Sequence, residues 1–385
     1  MERTDARSFL TSIMPTREMV DHFVKPHDES VEIPEHLTAI MCNNAKSTYD
    51  SELGWLLCEG TRGGSIDDAK GYYAYEPNGS RRVVNFPDRT CRINTYGNSF
   101  THCDQVSDGE TWQEYLAAHV QEPIRNFGVG GYSVYQAYRR MRAVEPVSPA
   151  RYIILNIWDD DHFRNLDAWR SIRMGRQGRY TLPHISVDLD KGICEENENI
   201  CGTPEEVYRL CDPDWVWDTF QDDPMLHAAL ARKGGSTNAS ARVRSLGALS
   251  GLANSVSDAE RHELHTEAAL LATRHVVELT ERFARSTGKE LLLVLSFSRK
   301  SVAAALAGHS PFDHSLLKWL GRRETPVIDM RDAFVRDYSH SNAPIDAYLD
   351  RYYIGHHTPA GNFFFAWAIK NRICDWLDPS PVPYL

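Results

Sequence analysis

The chain has 385 residues, a hydrophobic fraction of 42% and a formal net charge of -11. That is enough apolar material for a large buried core, while acidic residues spread along the whole chain argue against general affinity for nucleic acid or an anionic membrane. No apolar run reaches the roughly 18 residues of a membrane span, and the first twenty residues lack the apolar stretch of a signal peptide, so a cytoplasmic protein is expected.

Residues 1–90 follow no regular rhythm and read as an N-terminal extension packed on what comes next. From residue 91 strands and helices alternate. "CRINTY" (91–96) reads as a strand, "GETWQEYLAAHV" (109–120) as an amphipathic helix and "PIRNFGV" (123–129) as a short strand. "YSVYQAYRRMRAV" (132–144) is a helix whose "RRMR" (Arg139 to Arg142) reads as a solvated face. "RYIILNIW" (151–158) is unbroken apolar sequence, which suits a parallel strand covered on both sides.

The rhythm then fails over 165–255, where Trp, Asp, Gly and Pro are dense; an unstructured loop of that length is improbable, so an inserted, partly helical cap is expected. Its Trp169, Trp215 and Trp217 read either as a substrate wall or as cap core. Cys194, Cys201 and Cys211 are spaced more widely than the two-to-four residue gap of zinc sites, and read as reduced, packed thiols. Alternation resumes with a long helix (258–288), the buried strand "KELLLVLSF" (289–297), a helix (312–323), the short strand "TPVIDM" (325–330) and a closing helix (358–377). The pattern implies an α/β fold, a three-layer αβα sandwich with a mostly parallel sheet, its core formed by 91–164 and 256–385.

In an open parallel sheet, ligands bind outside the carboxyl ends of the strands. "INTYGNSFTHCDQ" (93–105) puts Ser99 at such an end; Gly97 permits the sharp turn, and the helix that follows aims backbone N–H groups at whatever the serine meets. This is nucleophile geometry, with a helix N-cap as the plainer alternative. It is not the G-x-S-x-G elbow, because position 101 is threonine. "RNFGVGGYS" (125–133) carries Gly128, Gly130 and Gly131 past the second strand, where an N–H can donate to an oxyanion or the chain simply turns; the spacing excludes a phosphate-binding GxGxxG. "GHHTPAGN" (355–362) brings histidine to the same edge, where a pKa near 6.5 suits a group that takes a proton and returns it.

Together these stretches resemble the SGNH (GDSL-type) hydrolase family, over roughly 91–165 and 290–377. "YGNSFT" is similar to its first block with Ser99 as nucleophile, "NFGVGG" to its second with Gly131 as an oxyanion donor, and "HHTPAGN" to its last with His356 as base. The resemblance implies a flavodoxin-like SGNH fold and an acyl-enzyme mechanism that requires no cofactor. Three departures stand out. Asn98 replaces the aspartate of the GDS signature. The asparagine of the third block, an oxyanion donor, falls on Asp160 or Asp161, and an ionised carboxylate cannot donate. That aspartate is neutral through burial, or Asn156, Asn165 or backbone groups substitute, or the Asp159–Asp161 cluster holds a cation. The aspartate three residues before the histidine is replaced by Tyr353, which leaves Asp350, with Asp346 behind it, or a backbone carbonyl to orient His356.

Asn98, His102, His357 and Trp158 are candidate substrate contacts, with Asp104 beside His102 and His357 a fallback base. The expectation is an SGNH-type esterase acting on a small-molecule acyl ester. Its rivals are a transferase or lyase that uses a cation at the acidic cluster, and a binding protein on a catalytically degraded scaffold. The acyl group, the alcohol and the oligomeric state are not legible.

Overall fold

The computed structural model describes residues 3–25, 47–234 and 258–384, so the last part of the expected cap, 235–255, lies outside the described residues. In chain order its strands are β1 (Ser47–Asp50), β2 (Gly54–Leu57), β3 (Gly60–Arg62), β4 (Gly71–Tyr73), β5 (Ile93–Tyr96), β6 (Ile124–Asn126), β7 (Tyr152–Trp158), β8 (His184–Asp188), β9 (Ile193–Asn197), β10 (Glu290–Ser296) and β11 (Val327–Asp329). The chain divides into two compact units, Met1–Cys58 with His162–Val276, and Glu59–Asp161 with Val277–Leu385. Residues 59–90 therefore belong with the strands that follow them, not with the extension in which the sequence pattern groups them.

The second unit is built on a five-stranded parallel sheet of order β11-β10-β7-β5-β6 flanked by helices, an arrangement compatible with a three-layer sandwich. Counted along the chain this is the doubly wound order 2-1-3-4-5, whose topological switch lies between β5 and β7. The apolar runs explain the middle of the sheet. Ile153, Ile154, Leu155 and Ile157 of β7 and Leu291 to Leu295 of β10 are all buried, as strands covered on both faces require. The closing helix, Pro359–Trp376, packs on Trp112–Val120, with the Trp112 and Phe365 rings 5.0 Å apart.

The sequence pattern does not mark the helices Arg299–Leu306, which follows β10, or Met330–Tyr338 and Ile345–Leu349, which follow β11. The "RRMR" stretch also differs from expectation. Arg139 and Arg140 are buried, and Arg140 donates to Phe127 O at 2.9 Å and to Gly79 O at 2.6 Å, so its long stem fills apolar space while its head satisfies carbonyls.

The first unit holds the antiparallel ribbons β1–β2 and β8–β9 among helices that include Arg3–Ile13, Arg17–Val24 and Pro213–Phe220. Its core contains Trp169 and Trp217, which answers the choice between wall and core for those two rings. Asp167, fully buried, is bound by Arg170 and Arg173, each at 2.9 Å. The seven cysteines among the described residues are free thiols. No helix among the described residues is long and apolar enough to cross a membrane.

Candidate active site

Ser99 begins the turn that follows β5. Gly97 precedes it at φ +154°, and a Cβ there would lie 2.1 Å from Thr101 Oγ1 and 2.5 Å from Asn156 O, so only glycine brings the chain round this close to β7. Asn98 caps the Ser99–His102 turn: its Oδ1 accepts from Phe100 N at 2.7 Å while its Nδ2 donates to Asp161 Oδ1 at 2.7 Å. The loop after β6 is sewn to the same turn. Val129 N donates to Gly97 O at 3.1 Å and Asn126 Nδ2 to His102 O at 3.3 Å. Gly128 backs onto the turn so closely that a Cβ would lie 2.3 Å from His102 N.

His356 arrives from the other end of the chain and places Nε2 2.8 Å from Ser99 Oγ. It stands in the tight loop before Thr358, whose hydroxyl caps Pro359–Trp376 by accepting from Gly361 N at 2.9 Å. Its second ring nitrogen, Nδ1, lies 2.9 Å from Gln105 Oε1, which also accepts from the His356 main-chain N–H at 2.9 Å. A main-chain N–H can only donate, so the amide oxygen faces the histidine, and Gln105 Nε2 donates to Gly64 O and Ile354 O on the far side. Nδ1 therefore carries the proton in neutral His356, and the Nε2 lone pair points at the serine hydroxyl. That is the tautomer a general base needs.

The loop bearing Gln105 is clamped from below. Arg81, 1% exposed, pairs through Nε with Asp108 Oδ1 at 2.7 Å and donates from Nη1 to His102 O at 2.6 Å and to Cys103 O at 2.8 Å, and from Nη2 to Val106 O at 2.5 Å. A rigid guanidinium fork thus satisfies carbonyls that a short helical turn leaves open. Gln105 N donates to Tyr73 Oη at 2.6 Å.

Beneath the serine turn lies a second histidine. His102 is fully buried, with Nδ1 2.5 Å from Asp104 Oδ1 and Nε2 2.8 Å from Tyr75 Oη. Burial pushes the His102 pKa down to about 4 and raises the Tyr75 phenol. Burial opposes the charge of Asp104, yet the hydrogen bond from His102 and the nearby His102, His356 and Arg62 groups hold its carboxyl well below the usual carboxylate range. The chain of donors then runs one way: Tyr75 O–H to His102 Nε2, and His102 Nδ1–H to the Asp104 carboxylate.

No protein-family model matches the chain, and no curated protein matches its sequence.

Of the residues singled out by sequence, Ser99 and His356 are brought into contact, and Gly131 stands at φ +87° on the loop after β6. Asp350 is not at the histidine: its carboxylate binds Arg299 at 2.8 Å with its side chain 68% exposed, and the acceptor at His356 Nδ1 is Gln105. Asp161 uses both oxygens as acceptors, Oδ1 from Asn98 and Oδ2 from Trp158 N at 3.0 Å, which is unsuited to donation towards an oxyanion. Asn156 spends its amide on Thr101 Oγ1 at 3.0 Å, and Asn165 spends its own on Thr273 Oγ1 at 3.0 Å. The acidic cluster diverges, since Asp159 accepts from Ser298 N at 3.1 Å and Ser298 Oγ at 2.8 Å while Asp160 remains half-buried at the turn. Among the described residues no group of three His, Cys, Asp or Glu side chains is placed to hold a metal ion.

The expected substrate contacts fare unevenly. Asn98 and His102 are fully buried and committed to the bonds above, so they are bracing residues. Trp158 is half-buried and stacked on Phe100 at 4.8 Å, and Phe100 in turn lies 5.0 Å from His356, so this wall stays next to the reacting groups. His357 is turned inward, 3% exposed, between Phe100 and Tyr353, each at 5.0 Å, and cannot replace His356 as base.

Burial pushes the His357 pKa down to about 3, against about 6.5 in the unfolded chain. Between those values the unfolded chain binds more protons, so this residue's contribution to stability is complete above about pH 6.5 and is lost as pH falls towards 3. Denaturant unfolding at pH 7 and pH 4.5 is expected to show His357→Phe losing about 2–3 kcal/mol less than the wild type over that interval. Equal losses in the two proteins would contradict a neutral His357.

Gln105, Asp104, Tyr75 and Arg81 complete the arrangement. Gln105 and Asp104 sit in the stretch that marks Ser99, but an uncharged glutamine is no familiar histidine partner, and Arg81 and Tyr75 carry no local signal at all.

Proposed function

We propose that the protein is a serine hydrolase of the SGNH type that cleaves a small acyl ester through an acyl-enzyme. The observation that carries this reading is the 2.8 Å approach of His356 Nε2 to Ser99 Oγ in the tautomer fixed by Gln105. Ser99 Oγ attacks the acyl carbon as its proton passes to His356 Nε2; the same proton then leaves with the alcohol, and water repeats the sequence in reverse to free the acid. The strand order supports it, because Ser99 stands at the carboxyl end of β5, beside the topological switch, where doubly wound sheets bind ligands. With Asp161 acting as acceptor, oxyanion stabilisation falls to main-chain N–H groups, assigned here to Ser99 and Gly131. The diverging carboxylates of Asp159 and Asp161 give no support to the rival chemistry based on a cation.

A fluorophosphonate is expected to label the wild type at Ser99 and to leave Ser99→Ala unmodified, as read by intact mass and peptide mapping. A panel of acyl esters run beside both proteins then identifies the acyl and alcohol preferences. An unlabelled wild type that retains its fold would sink the hydrolase reading and favour a binding protein.

A further inference from the structure

The imidazolium that forms when His356 takes the serine proton is a charge in a half-buried site, and the amide at its Nδ1 is neutral. Orientation is supplied; charge is not. Asp104 lies directly before Gln105 in the chain, is 4% exposed, and its main-chain N donates to Ser99 O at 3.0 Å, which places the residue under the nucleophile turn. Its Oδ1 is 2.5 Å from His102 Nδ1, and its Oδ2 lies 3.1 Å from the position a Cβ on Gly130 would take, so the carboxylate is pinned between the serine turn and the loop after β6.

We propose that the two tasks usually met by one triad aspartate are divided here between neighbours: Gln105 orients His356, and the buried Asp104 carboxylate supplies the negative charge that stabilises its imidazolium. This rests on the reading of Ser99 and His356 as nucleophile and base. His102 and Tyr75 maintain the arrangement. Burial keeps the His102 ring neutral, and with the Tyr75 hydroxyl on Nε2 its Nδ1–H is donated to Asp104, so the carboxylate keeps its charge in a buried site. Other groups that act on Asp104 include Arg62, the Cys103 thiol and the phenols of Tyr73 and Tyr75, none of which takes a proton in the reaction as written; His356 does. One proton moves from Ser99 Oγ to His356 Nε2 and none reaches Asp104. Asp104 and His102 are thus positioning residues that act through His356.

The test is the titration of the His356 ring, followed by NMR on the full chain with labelled histidine and assigned by loss of its signal in His356→Gln. Asp104→Asn is expected to move the His356 midpoint down by about one pH unit, the size typical of a removed neighbouring charge, and Asp350→Asn to leave it in place. An unmoved midpoint in folded Asp104→Asn, or an equal shift in Asp350→Asn, overturns the proposal. Should Asp104→Asn not keep its fold, Asp104→Ser asks the same question with a smaller neutral side chain, and an unmoved midpoint is again fatal. Because this readout is independent of activity, a shifted midpoint in a protein that fails to react with fluorophosphonate upholds the charge assignment while the hydrolase reading falls.

Discussion

His356→Ala is expected to lose about 10⁴-fold in kcat/KM for ester hydrolysis while unfolding at the same temperature as the wild type, the upper range for removal of a general acid–base group. The ring is half-buried at a loop, and its loss leaves Ser99 Oγ without the acceptor now 2.8 Å away. Gln105→Ala removes the tether but not the base, so about 10²-fold is expected, a loss that arises from misorientation and the wrong tautomer. Gln105→Glu is the sharper comparison. A carboxylate restores the familiar acid, yet its second oxygen would face Gly64 O and Ile354 O, where the amide now donates. Repulsion there raises the carboxyl pKa, so no gain over wild type is expected at neutral pH. A Gln105→Glu variant faster than wild type would show that the two carbonyls do not fix the amide.

Gly128→Ala is expected to destabilise the protein by about 3 kcal/mol or more in denaturant unfolding, and to slow fluorophosphonate labelling in whatever fraction stays folded. The added carbon would lie 2.3 Å from His102 N and 2.7 Å from Thr101 C, both main-chain atoms that cannot swing aside. The loop after β6 must lift from the serine turn, which strains the Val129 N to Gly97 O bond that joins them. Gly63, with nothing within 4 Å of its would-be Cβ, is the control, and Gly63→Ala is expected to be neutral. Equal stability in the two variants would mean that the contact at Gly128 relaxes freely.

The sheet was legible because its strands are continuous apolar runs bounded by turn formers, as with Ile153 to Ile157 and Leu291 to Leu295, and burial on both faces demands that pattern. The helices Arg299–Leu306 and Met330–Tyr338 were hidden because they are short and mixed in composition, so that capping by Ser298 and Asp329 fixes them more than periodicity does. At the site, sequence order was enough to pair Ser99 with His356. It misled for the orienting group, since the search ran backwards from His356 along the chain to Asp350, whereas the partner comes from 251 residues away in the Ser99 loop. The opposite error concerns Arg139 and Arg140, read as a solvated face because charged residues usually are, and His102, read as a substrate contact. Arg140 and His102 are buried because their polar atoms find specific partners, which no local pattern records.

The Gln105–His356 contact joins two uncharged groups. Dissolved ions that loosen carboxylate–imidazole pairs have nothing to screen there, and an amide does not titrate. The ring is thus aimed by a fastening indifferent to ionic strength and acidity, so whatever responds to the medium is the proton on the far nitrogen and not the direction in which it points.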